Sequence, residues 1–202
     1  MTTRPALPQA PTETRNTMGQ PGWLPDPVGG ILWWGNHTLN TSVAIPFYVG
    51  INELPKSQTT GSHFEFSRDS AFWGFNFVNS WAQLCWMGMY PDIRNLMNSL
   101  ESEIMTALPA IDEKAYRIYQ SETRYHKRNG KSHKNKCDKP EYKKTSEFLT
   151  GFCTDNAEYV LASWWDLADY LISNFDQGRY PRNNADGVRI APSQEWLDAV
   201  SP

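Results

Sequence analysis

SRDSAFWGFNFVNSWAQLCWM, residues 67 to 87, decides the fold. Wound as a helix, it continues to Met89 with one apolar face. Ala71, Phe75, Val78, Ala82, Cys85 and Met89 lie three or four residues apart, the spacing that puts side chains on one side. Trp73, Phe77, Trp81 and Leu84 form a second apolar face, so the helix is expected to be buried on most sides, with Asp69 placed to cap its start. Along the same helix run four polar residues, Asn76, Asn79, Ser80 and Gln83. A buried amide without a hydrogen-bond partner costs stability, so such a ridge needs a facing backbone, polar side chain, water or ligand. It reads either as a structural tie to a neighbouring helix or strand, or as a substrate-contacting face. These four residues are the candidate site. Arg68, Asp69 and Ser70 at the helix mouth form no catalytic triad, because no histidine accompanies them; capping and ion pairing are expected there.

Upstream, ILWWG (31–35) and SVAIPFYVG (42–50) are dominated by β-branched and aromatic residues and read as strands joined by the polar connection NHTLNT. Pro46 makes the second an edge or bulged strand. Asn36-His37-Thr38 and Asn40-Thr41-Ser42 match glycosylation sequons, but with no secretory signal in view they read as chance matches. Residues 1–22 read as an extended, proline-rich arm without a core of its own. Downstream, Pro91 is placed to open a helix with Ile93, Leu96, Leu100 and Ile104 as its stripe, and Pro109 a third. Thr154 is placed to cap a last long helix with Ala157, Val160, Trp164, Leu167, Leu171 and Phe175 inward. Near the end, SQEWLDAV reads as a short amphipathic helix. The class expected is α+β: two or more strands followed by a helical layer. Trp33-Trp34 and Trp164-Trp165 are candidates for stacking on sugars or bases, with core packing the ordinary alternative.

The chain has 202 residues, 40% of them hydrophobic and 13% aromatic, enough to bury the core of one domain, taken as residues 23–202. No apolar run reaches the roughly 20 residues that span a bilayer, and no apolar export signal is evident, so no membrane partner is expected and a cytoplasmic location is favoured. Cys85, Cys137 and Cys153 are odd in number and lack C-x-x-C spacing, which predicts free thiols. Between Glu122 and Lys144, nine Lys or Arg stand against three acids, a local balance of +6 that leaves −9 for the rest of a chain whose net charge is −3. That stretch, with Gly130 and Pro140, reads as a solvated loop insertion and not as a nucleic-acid contact. His126, His133 and Cys137 within it match no common zinc spacing, so no metal is expected there.

Several longer runs point further. WLPDPVGGILWWGNHTLNTSVAIPFYVGINELP, FEFSRDSAFWGFNFVN, MYPDIRNLMNSLE, FLTGFCTDNAEYVLASWWDLADYLISNFDQG and APSQEWLDAV occur in one order from Trp23 to Val200. In that order they resemble the C-terminal part of the cysteine dipeptidases typified by lactobacillar dipeptidase A, relatives of the secernins. The resemblance implies an N-terminal nucleophile (Ntn) hydrolase, a peptidase with an αββα sandwich fold. In such an enzyme a cysteine at the start of the mature chain attacks the peptide carbonyl, and its own α-amino group, with a pKa near 8, accepts the proton. It further implies dipeptide substrates, recognised through their free amino terminus by carboxylates and amides, and no metal or cofactor.

The sequence departs from that pattern at the nucleophile. None of Cys85, Cys137 and Cys153 stands at a chain terminus. Removal of Met1 exposes Thr2, but RPALPQAP after it is a poor frame for an oxyanion hole. Two expectations follow. Either the chain is the C-terminal portion of a dipeptidase, completed by a missing N-terminal portion or within a homo-oligomer, or it is a catalytically inactive remnant that acts as a binding or scaffolding protein. Both expectations include an unpaired strand edge and an exposed apolar face.

Overall fold

The quoted helix ends sooner than its apolar stripe, and the chain turns without losing the stripe's phase. In the computed structural model, which describes residues 24–128 and 142–175 together with the backbone of 17–19, 179–180 and 188–189, Ala71–Ala82 are helical. After a turn at residues 83–85 a new helix begins at Trp86. Ala71, Phe75, Val78, Ala82, Cys85 and Met89 are nonetheless all buried. The second face is covered in part: Trp73, Phe77 and Trp81 are half-buried and pack against the core, while Leu84, beyond the helix end, is 58% exposed. Its N-cap is Ser70 and not Asp69, whose backbone N–H donates to Ser67 Oγ at 3.1 Å.

In chain order the elements are β1 (Thr17–Gly19), α1 (Asp26–Gly29), β2 (Ile31–Trp34), a 3-10 turn (Leu39–Thr41), β3 (Ile45–Tyr48), α2 (Lys56–Thr59), α3 (Ala71–Ala82), α4 (Trp86–Arg128), α5 (Lys143–Asn174), and a two-residue ribbon, β4 (Arg179–Tyr180) with β5 (Val188–Arg189). The three-stranded sheet is antiparallel in the order β1-β2-β3, with Trp33 opposite both Thr17 and Pro46. Pro46 therefore sits on an edge strand, where its missing donor removes no interior ladder bond. The residues 1–22 expected to form only an extended arm supply strand β1. The class is α+β, with α3, α4 and α5 packed against one sheet around a single apolar core. Gly50 permits a close approach: a Cβ there would lie 2.3 Å from the Pro27 carbonyl oxygen.

Two expected helices are one. α4 runs for 43 residues, about 64 Å, through Pro91 and Pro109. Both prolines are exposed, and the inward stripe Ile93, Met97, Leu100, Ile104, Leu108 and Ala115 keeps its phase past Pro109, so packing outweighs the lost amide donors. Thr154 does not start α5 but lies inside it. The start is at Lys143, where Glu122 of α4 accepts the backbone N–H of Lys144 (2.7 Å) and of Thr145 (3.2 Å) and the Thr145 hydroxyl (2.7 Å). A carboxylate from another helix thus satisfies the first amides of α5. Both ends of the basic stretch are helical, since α4 continues to Arg128 and α5 opens at Lys143. Cys137, His133, Thr2, SQEWLDAV and the side chain of His126 lie outside the described residues. Among the described residues no helix is long and apolar enough to cross a membrane.

Candidate functional site

The polar ridge divides in two. Asn76 Nδ2 lies 3.2 Å from His37 Nε2, and Asn79 Oδ1 accepts from Thr38 Oγ1 (2.9 Å) and Thr41 Oγ1 (3.1 Å), the two hydroxyls themselves being 2.8 Å apart. Three oxygens share two hydroxyl protons, so two of these three contacts carry a hydrogen at any moment. His37 N–H donates to Ser42 Oγ at 2.9 Å, which fixes the turn that carries the threonines. Burial holds the His37 imidazole below its ordinary pKa, which favours the neutral ring. Ser80 and Gln83 are exposed and take no part, so the structure brings together two of the four candidate site residues. These two serve the β2–β3 connection. Asn36 is half-buried and its amide nitrogen, the atom a glycan would need, is enclosed.

The concave site lies elsewhere. A cleft of about 700 Å³ opens between the segment 53–60 and α5, with Leu161 and Trp165 among its apolar residues. The Trp165 indole N–H donates to the Arg68 carbonyl oxygen at 2.8 Å, and the Arg68 guanidinium sits 4.8 Å from the indole ring centroid. Arg68 also donates twice to Asp169, at 2.8 and 3.2 Å. That fork raises the guanidinium pKa and lowers that of the carboxyl, so both stay charged. On the opposite rim Glu158 Oε1 accepts the Ser57 N–H at 3.3 Å. Such a cleft can hold a small molecule with an apolar body and charged ends. The Trp164-Trp165 pair was visible in the sequence, but the rim was not. Its charges come from three separate segments with no motif among them. Trp164 is core, stacked on Phe75, while Trp165 is buried beneath the cleft.

A third polar group is enclosed by β3, α4 and α5. Tyr48, 1% exposed, donates its hydroxyl to Asp112 Oδ1 at 2.5 Å. Burial raises the Asp112 pKa, partly offset by that bond, and burial with the neighbouring Asp112 pushes Tyr48 far above its ordinary value. Burial likewise pushes the Cys153 thiol up to about 11, so at neutral pH it is protonated and a poor nucleophile. Cys85 is also a buried free thiol. Among the described residues no three His, Cys, Asp or Glu side chains gather closely enough to hold a metal ion. No protein-family model matches the chain, and no curated protein matches it.

Proposed function

We propose that this chain is part of a cysteine dipeptidase of the N-terminal nucleophile class and builds one wall of its peptide site. The nucleophilic cysteine, with its α-amino base, comes from outside the sequence described here. One observation carries the reading: the blocks that resemble the family also tie the fold together. Asn76 and Asn79 of one block bond to His37, Thr38 and Thr41 of another. Phe75 stacks on Trp164 of the last helical block, and Glu101 accepts the Ala44 N–H at 3.1 Å.

In this reading the sheet with α3, α4 and α5 is half of an αββα sandwich. The external thiol attacks the dipeptide carbonyl, its α-amine takes the thiol proton, the amine product leaves, and water hydrolyses the thioester. The step needs no metal or cofactor. The test is hydrolysis of unblocked dipeptides by the purified chain, alone and mixed with the N-terminal portion of a dipeptidase of this class. Turnover only in the mixture, abolished by thiol alkylation of the added portion, supports the reading; no turnover in either sample removes it. A binding or scaffolding role is the second reading, favoured by Phe64 at 99% and Phe66 at 56% exposure.

A further inference from the structure

We infer that the β2–β3 turn is a clasp opened by acid: protonating His37 expels its ring from the contact with Asn76 and frees residues 36–40 from α3. The surroundings of the two ring nitrogens set this behaviour. Nε2 lies 3.2 Å from Asn76 Nδ2, while Nδ1 is enclosed and has no hydrogen-bond partner among the described residues. A neutral ring carries a hydrogen on one nitrogen only, but an imidazolium must donate from both. Flipping the Asn76 amide would satisfy Nε2 alone, so the Nδ1 N–H is left without an acceptor beside a charge that has lost its water. The ring has a short way out, since His37 is half-buried and Thr38 and Asn40 are exposed. Moving outward breaks the contact with Asn76 and the His37 N–H bond to Ser42 Oγ, and draws Thr38 away from Asn79. Thr41 and Ser42 are buried and stay as the anchor, so the opening is local.

No charge on a packed element supplies the missing acceptor. Ala71–Ala82 of α3 carry no charged residue, nor do β2 and β3. From α4, which also packs on the turn, Asp92, Arg94 and Glu101 are the charged residues of its first half up to Glu101. Glu101 accepts the Ala44 N–H at 3.1 Å, Arg94 donates to the Tyr90 hydroxyl at 3.3 Å, and burial alone lowers the His37 pKa.

The clasp stands apart from the dipeptidase reading and needs no turnover. Released into water, the ring returns to its ordinary value of 6.5, so each unit below that pH favours the open turn by up to about tenfold until the folded value is reached. Amide exchange of His37 and Thr41, followed by NMR on the folded full chain and corrected for the intrinsic effect of pH, tests this. Both amides are hydrogen-bonded within the turn. Their protection is expected to fall about tenfold between about pH 7 and pH 5, while that of Phe75 and Val78 is kept. His37→Gln removes the fall. Asn76→Asp sets a carboxylate beside Nε2 and holds the turn closed to a lower pH. Protection unchanged across that range in the parent chain, a fall that persists in His37→Gln, or an equal fall at Phe75 and Val78 overturns the inference.

Discussion

Phe75 of α3 and Trp164 of α5 stack with ring centroids 4.8 Å apart and planes 21° from parallel, and neither ring is reached by solvent. The pair fills the space between two helices that also share the Phe77–Trp165 contact, and truncating Phe75 leaves a cavity in the core. Phe75→Ala is expected to cost about 3–5 kcal/mol, and Phe75→Leu about 1–1.5 kcal/mol, by urea denaturation. A loss under 1 kcal/mol for the alanine variant would show that the stack is not central to the core.

Asn79 is the acceptor for two threonine hydroxyls, one of them on the fully buried Thr41. Asn79→Ala is expected to destabilise the chain by about 1–2 kcal/mol, because Thr41 keeps a buried hydroxyl with a poorer set of partners. Ser80→Ala and Gln83→Ala, on the exposed side, stay within about 0.5 kcal/mol. The double change Asn76→Leu with Asn79→Val checks the structural role: stability at or above that of the parent chain rules it out.

Stability depends on pH at both ends. Cys153 is raised to about 11 from 9.0 and Tyr142 to about 12 from 10.0, both chiefly by burial. The folded chain keeps these protons after the unfolded chain has lost them. Their contribution is therefore complete below the ordinary values and is lost as pH rises toward the folded ones. The melting temperature should begin to fall near pH 9.0, and Cys153→Ala should flatten the first part of that fall. His37 acts with the opposite sign. Its folded pKa lies below 6.5, so its contribution is present above 6.5 and is lost as pH drops below it. Replacing His37 with glutamine should weaken that part of the acid limb.

Glu122 closes the mouth of the α4–α5 hairpin by accepting three donors from Lys144 and Thr145. Glu122→Ala is expected to cost about 1–2 kcal/mol and to raise amide exchange at residues 142–149 before the core opens. Glu122→Gln, which keeps an acceptor but loses the charge, should recover part of the loss. Exchange rates unchanged in both variants would show that the α5 terminus is held by other contacts.

How far the sequence could be read follows from where each signal is stored. The stripe from Ala71 to Met89 was legible because period and burial reside in the same residues, and every one of its members is buried. Helix ends were not. The cap of α5 is a carboxylate on α4, the helix continues through Pro109 where its inward stripe stays packed, and neither leaves a local mark. The ridge was half legible: Asn76 and Asn79 meet the turn at residues 37–41, while Ser80 and Gln83 are exposed to solvent. The cleft had no sequence motif, since Glu53, Arg68 and Glu158 become neighbours only when α5 packs beside α2 and α3.

Dipeptide turnover can be followed as this chain is titrated into a fixed amount of an N-terminal dipeptidase portion that is inactive by itself. If this chain completes the enzyme, turnover rises with added chain, saturates at equal molar amounts, and disappears when the added portion's terminal cysteine is replaced by alanine. Turnover that stays at background through saturation, with both parts folded, contradicts it.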